Sequence, residues 1–163
     1  MRTHTKRLYI DALALVPDRK SGVGQTLEQT LENLSLIPEF TTEWTAYLVV
    51  PLGKAKYLKK YEKTNISIKT ICLPARILDV LLRFGVLPPL DIFIGKGVYL
   101  FPNYRNWPLW RSRSMTYVYD IGFVLFPETI QPKNRSYLAT NIKKWISRTD
   151  TVITITNQVK NRD

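Results

Sequence analysis

Residues 115–128 read MTYVYDIGFVLFPE, and this stretch decides how the chain is interpreted. It starts as an apolar run of β-branched and aromatic residues and then reaches Asp120, Ile121 and Gly122. This pattern predicts a strand that carries a carboxylate at its C-terminal tip. Because ligands bind at the carboxyl ends of parallel strands, we expect Tyr119 and Asp120 to face a substrate cleft. An Asx turn that only ends the strand is the alternative for Asp120.

Strands alternate with helices along the rest of the chain. Apolar runs indicate the strands, and Pro or Gly residues close several of these runs. The predicted strands are residues 7–16, 44–50, 66–73, 98–101, 114–119 and 150–156. The helices are predicted at 23–34, 54–63, 75–86 and 135–148, with Asn157 as the N-cap of one more. Such alternation predicts an α/β fold, a parallel sheet of about six strands with helices on both faces.

Composition limits the class of protein. The chain has 163 residues, 45% of them apolar, which fits one globular domain. Its formal charge of +11 indicates an anionic partner, which is a nucleic acid, a phosphorylated substrate or an acidic membrane surface. The single cysteine, Cys72, lies between Ile71 and Leu73, and we expect it to be a small core residue in a reducing compartment.

Several classes of site and segment are not indicated. No apolar run reaches transmembrane length, and the N-terminus does not have the pattern of a secretory signal. No Cys, His or carboxylate cluster has metal-ligand spacing, so no metal site is expected. No cofactor is expected either. The only histidine, His4, lies in the terminal segment and is given no catalytic role.

A glycine loop, Ser21-Gly22-Val23-Gly24, joins the first predicted strand to the first helix. Glycines allow a ligand to approach the backbone, and the free N–H groups at a helix start attract phosphate. The loop is neither a dinucleotide fingerprint nor a P-loop. A flexible turn that caps the helix is an equal alternative.

Two further segments are rich in groups that bind anions. After the fourth predicted strand, Asn103, Tyr104 and Arg105 begin a loop, residues 103–113, with two Trp and three Arg, a combination that can bind phosphate or stack on sugars. The segment 54–63 has five lysines, with Tyr57, Leu58 and Tyr61 as its predicted inner stripe. A solvated surface is the alternative interpretation for both segments.

Taken in order, four segments resemble the N-terminal half of a GT-B glycosyltransferase, in particular the retaining family 4. They are residues 9–12 (YIDA) with 21–24 (SGVG), 98–104 (VYLFPNY), 118–128 (VYDIGFVLFPE) and 148–158 (RTDTVITITNQ). The resemblance covers most of the chain, and it implies a single Rossmann-like, acceptor-side domain over residues 1–163. The C-terminal domain that binds most of the nucleotide sugar is then absent, and the chain alone should show little or no transfer.

The resemblance also assigns roles to individual residues. Gly22 and Gly24 would leave room for the donor phosphates, and Val23 between them would belong to the same substrate-binding loop. Asp120 and Tyr119 would position sugar hydroxyls as the catalytic pair. Asn103, Tyr104 and Arg105 would line the acceptor cleft. Asn157, which is predicted to cap the helix after the last strand, would also bind substrate. The implied reaction transfers a sugar from a nucleotide-diphosphate sugar to a glycan or lipid-linked acceptor, without metal. The chain ends at the start of a predicted helix, which we interpret as a cut from a longer protein.

The sequence departs from the family at three positions. Tyr119 stands where a His is frequent, Gln25 replaces an Arg and Asn157 replaces a Ser. A phenol hydrogen-bonds a hydroxyl but is a poorer charge partner near neutral pH. Two rivals therefore stay open, a non-catalytic interaction domain of this fold and a basic nucleic-acid-binding domain. We expect no nucleic acid, and we expect a cytoplasmic protein that docks on an anionic inner leaflet through residues 54–63.

Overall fold

A six-stranded, all-parallel sheet forms the centre of the computed structural model, which describes residues 6–103, 106–119 and 146–154. Its strands are β1 (Lys6–Asp11), β2 (Trp44–Pro51), β3 (Ile66–Ile71), β4 (Val98–Phe101), β5 (Arg113–Val118) and β6 (Thr151–Thr154). Their spatial order is β3-β2-β1-β4-β5-β6, with every neighbouring pair parallel. This is the order of a doubly wound Rossmann-like fold, so the predicted fold class is confirmed.

One face of the sheet packs against helix α1 (Gly22–Leu34), and we call it the α1 face. Alternate strand residues point to it, among them Leu8 and Ile10 of β1 and Leu48 of β2. Three shorter elements also pack on this face, and each contributes a buried residue: the 3-10 helix Leu13–Leu15, α2 (Pro38–Glu43) and the 3-10 helix Ala55–Tyr61. Leu27 and Leu31 of α1 are fully buried here, as their helical spacing predicts.

The opposite face, which we call the tyrosine face, is built on stacked aromatic rings. Tyr9 of β1 stacks on Tyr47 of β2 at 5.1 Å and on Tyr99 of β4 at 4.8 Å between ring centroids. Helices α3 (Ala75–Phe84) and α4 (Asp91–Ile94) pack on this face through Leu78, Ile94 and their neighbours. Burial raises the pKa of the Tyr99 hydroxyl, which donates a 2.7 Å hydrogen bond to the Gly95 carbonyl.

Several predicted boundaries are wrong for identifiable reasons. The first strand does not run to residue 16, because Asp11 accepts a hydrogen bond from the Leu13 N–H and the chain turns into a 3-10 helix. Two short helices were not predicted. One is α2, which starts at Pro38 because proline suits a first helical turn, and the other is α4.

Two side chains predicted to be buried are exposed. Strand β3 ends at Ile71, so Cys72 lies beyond the pleat of an edge strand and is exposed rather than in the core. Tyr57 is also exposed, because the segment 55–61 winds as a 3-10 helix, and only Leu58 of its predicted stripe is fully buried. The predicted helix 135–148 and the second half of the stretch 115–128 lie almost entirely outside the described residues.

Asp91 of α4 accepts hydrogen bonds from the connection between β4 and β5 and so holds this connection against the helix. Its two carboxylate oxygens accept hydrogen bonds from the backbone N–H groups of Trp110 (2.9 Å) and Arg111 (2.8 Å). Burial alone would raise the pKa of this carboxyl, but the backbone donors of Arg111 and Trp110 outweigh it and hold the pKa below its usual range. The ionised form therefore stabilises the fold.

We expect Asp91→Asn to lower the free energy of unfolding by roughly 1 to 3 kcal/mol near neutral pH, because an amide accepts with only one oxygen. The folded-state pKa is lowered, so this stabilisation is present above the unfolded-state pKa and is lost as pH falls through the folded-state value. Urea unfolding from about pH 6 down to about pH 3 measures the free energy of unfolding of wild type and variant. The difference between the two free energies should shrink below about pH 4.

The matched control is Asp18→Asn, which removes an exposed carboxylate in the loop before α1. It should leave stability within about 0.5 kcal/mol of wild type. An equal loss in both variants, or a difference for Asp91→Asn that does not change with pH, would contradict the role assigned to Asp91.

Candidate functional site

The strand order reverses direction between β1 and β4, which lie side by side. After β1 the chain crosses to β2 on one side, and after β4 it crosses to β5 on the other. The two connections therefore diverge beyond the carboxyl ends of these strands, where open α/β sheets form a crevice. In open α/β sheets this switch point is the usual ligand site.

The glycine loop reaches this crevice from β1. The Asx turn at Asp11 and the 3-10 helix after it bring the chain to Ser21, which is the N-cap of α1. The Ser21 hydroxyl accepts a 3.4 Å hydrogen bond from the Gly24 N–H. The N–H groups of Gly22 and Val23 belong to the first turn and have no carbonyl within the helix to bond, so α1 presents two donors and its positive dipole end here.

The two glycines of the loop have different physical roles. A Cβ on Gly22 would meet nothing within 4 Å, whereas a Cβ on Gly24 would lie 2.6 Å from the Ala14 carbonyl oxygen. Gly24 is buried and allows α1 to pack tightly against the 3-10 helix at residues 13–15. Of the pair predicted to leave room for phosphates, only Gly22 therefore has open space beside it.

A cation beside the loop is held by neighbouring side chains. Lys20 Nζ forms an ion pair with Glu28 of α1, and the Tyr61 hydroxyl donates a 2.7 Å hydrogen bond to the same carboxylate. The hydrogen bond from Lys20 lowers the pKa of Glu28, and Glu28 in turn raises the pKa of Lys20. The arrangement ties the glycine loop to the segment 55–61, a link that the spacing of these residues in the sequence does not reveal.

The second wall of the crevice starts where β4 ends. Phe101 is the last residue of β4, Pro102 is buried, and Asn103 is exposed at the rim. Asn103 thus occupies the predicted position, while Tyr104 and Arg105 lie outside the described residues. Because β4 pairs with β1 in register, the Asn103 rim and the glycine loop follow adjacent strands about 4.8 Å apart.

Tyr119 directly follows Val118, the last residue of β5, whereas the predicted strand included it as its last residue. Its ring stacks on Tyr117 at 5.5 Å between centroids, and Tyr117 packs against the core of the α1 face. The hydroxyl oxygen of Tyr119 is buried. Asp120 and Asn157, the other two predicted residues of this edge, lie outside the described residues.

A buried polar network under β5 was not predicted. The Thr116 hydroxyl donates a 2.9 Å hydrogen bond to Asn106, whose amide nitrogen in turn donates to Thr149. Nearby, Asp150 accepts a 2.7 Å hydrogen bond from the Ser114 N–H, which lowers the pKa of its carboxyl. The signal in the sequence is the alternation of Ser114 and Thr116 within an otherwise apolar strand. The network fixes the loop after Asn103 to β5 and to the start of β6.

Within residues 6–103, 106–119 and 146–154, no group of three His, Cys, Asp or Glu side chains is placed to hold a metal ion. In the same ranges no helix has the length and apolar character needed to cross a bilayer.

Alanine at the two glycines should separate packing from ligand access. Gly24→Ala should lower the free energy of unfolding by about 1 to 3 kcal/mol, because the new methyl group collides with the Ala14 carbonyl. Gly22→Ala is the matched control and should change it by less than about 0.5 kcal/mol, since its methyl group enters open space. Thermal and urea unfolding measure both. Equal effects of the two substitutions would refute the packing role of Gly24.

Comparison of the chain with models of protein families, with curated proteins and with solved structures found no match.

Proposed function

We propose that the chain is the acceptor-side, N-terminal half of a GT-B glycosyltransferase similar to family 4. The complete enzyme would transfer a sugar from a nucleotide-diphosphate sugar to a glycan or lipid-linked acceptor. A second Rossmann-like domain would supply most of the nucleotide-sugar site, and the crevice between β1 and β4 would open toward it.

The observation that carries this proposal is where the four family-like segments lie in the fold. Most described residues of these segments belong to β1, β4, β5 and β6, which are consecutive neighbours in the sheet, or directly flank one of them. Residues 21–24 are reached from β1 through the 3-10 helix Leu13–Leu15 and lie at the start of α1. The glycine loop and Asn103 flank the switch point, and Tyr119 follows the next strand. Segments scattered along the sequence thus meet at one edge of the sheet, where this fold binds ligands.

The chemistry of that edge suits a diphosphate. The N–H groups of Gly22 and Val23, together with the α1 dipole, stabilise negative charge without a metal. Gly22 leaves space for the ligand to approach the backbone. As a leaving diphosphate gains charge during sugar transfer, donors already fixed at a helix start stabilise it without further reorganisation. Asn103 at the rim, with Asp120 and Tyr119, would then position sugar hydroxyls.

A second candidate is a binding domain of the same fold that performs no chemistry. The buried hydroxyl of Tyr119 favours it, because a phenol shielded from solvent and stacked on Tyr117 serves the packing of the edge. In this case the crevice still binds a nucleotide diphosphate or a glycan, but no bond is broken.

Binding of UDP or GDP at the start of α1 tests the site. Addition of either nucleotide to the isotope-labelled chain should shift the NMR amide signals of Gly22 and Val23. In Gly22→Asp the affinity should fall at least about fivefold, because a carboxylate then occupies the dipole end where the phosphates bind. The substitution should preserve the fold, since a Cβ at this position enters open space and an acidic residue suits a helix start.

The control for charge is Gln29→Glu, which adds the same charge on an exposed position two turns along α1. It should retain most of the affinity. If neither nucleotide shifts the first-turn amides, or if both variants lose affinity equally, α1 does not form the phosphate site.

Hydrolysis of a nucleotide sugar by the full-length protein separates the two candidates. If Asp120 positions the reacting sugar, Asp120→Ala should lower the turnover of hydrolysis at least about a hundredfold. Nucleotide binding measured on the same variant is the control and should be nearly unchanged. Unchanged turnover would remove Asp120 from the site, and binding without any hydrolysis by the wild-type protein would favour the non-catalytic domain.

A further inference from the structure

Helix α3 has a second apolar stripe that does not face the sheet. Its inner residues, Leu78 with Leu81 and Leu82, pack on the tyrosine face. Ile77, Val80 and Phe84 are exposed, and their spacing of three and four residues places them along one line on the outer surface. A helix of a soluble domain normally has polar residues on that side.

Further exposed apolar side chains lie on α4 and on the connection after it, and α4 packs on the same face of the sheet as α3. Ile92 and Phe93 of α4 are exposed, and Asp91 binds the backbone of Trp110 directly beside them. The aromatic side chains protrude strongly: Phe84 is 73% exposed, Phe93 70% and Trp110 65%. We call the set the α3–α4 patch, defined by Ile77, Val80, Phe84, Ile92, Phe93 and Trp110.

Exposed basic side chains belong to the same part of the chain as the patch. The exposed cations on the same elements and their flanks are Arg76, Arg83, Lys96 and Arg111. The Arg111 guanidinium lies 4.4 Å from the centroid of the Trp110 ring. The acidic residues of these two helices are Asp79 of α3 and Asp91 of α4. The Asp91 carboxylate is buried and accepts hydrogen bonds from backbone N–H groups. The local charge is therefore positive.

The exposed aromatic side chains and the positive charge together indicate which partner binds to the patch. Two copies of the chain, joined through the patch about a two-fold axis, would bring the arginines of both copies together around the contact, which costs free energy. A bilayer with anionic lipid matches both properties, because protruding Trp and Phe side chains enter the headgroup boundary while Arg and Lys attract the lipid phosphates.

We propose that the α3–α4 patch docks the protein on a bilayer surface that contains anionic lipid. This docking is independent of the proposed sugar transfer. The patch lies on the opposite face of the sheet from the lysine-rich segment 54–63. That segment was the predicted docking site, and its Leu58 packs into the α1 face. Its lysines attract anions, but Tyr57 is the large aromatic side chain that it exposes.

Co-sedimentation of the chain with phosphatidylcholine vesicles, with and without about one third phosphatidylglycerol, tests the proposal. The chain should bind the anionic vesicles and much less the neutral ones. The double variant Phe84→Ser/Phe93→Ser should bind at least about tenfold more weakly, because two protruding aromatic rings are lost. Its circular dichroism should match wild type, since both side chains are exposed.

Two matched controls locate the docking surface. Leu36→Ser/Leu52→Ser removes two exposed apolar side chains elsewhere and should bind like wild type. Lys56→Gln/Lys59→Gln removes two charges from the segment 54–63, and Arg76→Gln/Arg83→Gln removes two beside the patch. The arginine pair should weaken binding several-fold more than the lysine pair.

Three results would overturn the proposal. The first is no binding of the wild-type chain to anionic vesicles. The second is binding that falls with the lysine pair and is unchanged in Phe84→Ser/Phe93→Ser, which indicates attraction by net charge alone. The third is a wild-type dimer in sedimentation velocity that becomes monomeric in Phe84→Ser/Phe93→Ser, while vesicle binding is unchanged. This result would assign the patch to a second copy of the chain.

Discussion

The pairing of β1 with β4 is the contact on which the rest of the structure depends. Two strands and their helices separate β1 from β4 along the chain, and only this pairing brings the two halves of the sheet together. The stack of Tyr47, Tyr9 and Tyr99 crosses the junction on one face. Gly97 permits the close approach, since a Cβ there would lie 2.6 Å from the Arg7 carbonyl oxygen. The crevice at the carboxyl edge exists because the strand order reverses at this pair.

The alternation of strands and helices was enough to predict the fold class, because the strands are nearly continuous apolar runs between turn residues. What it did not predict depends on contacts between distant residues. Gly24 was interpreted as room for a ligand, but its space is filled by the carbonyl of Ala14. Cys72 has apolar neighbours in sequence and still lies beyond the edge of the sheet. Tyr119 is where the sequence places it, yet only the structure shows its buried hydroxyl and its stack on Tyr117.

The two proposed surfaces use the basic charge of the chain in different ways. At the carboxyl edge Lys20 is paired with Glu28, so the phosphate site rests on backbone donors of α1 rather than on free lysines. At the α3–α4 patch the arginines lie around protruding aromatic side chains, and their charge has to act together with apolar contact. A net charge of +11 therefore does not identify one partner, and the packing around each charge decides what that charge can bind.

The most direct test of the account is an NMR measurement of which strand lies beside β1. Nuclear Overhauser contacts should join backbone protons around Tyr9 with those around Tyr99 on one side and those around Tyr47 on the other. The same register should bring Leu8 opposite Val98 and Ile10 opposite Leu100. Contacts from β1 to β3 or β5 in place of β4 would contradict the account, because the strand order would then no longer reverse between the glycine loop and Asn103.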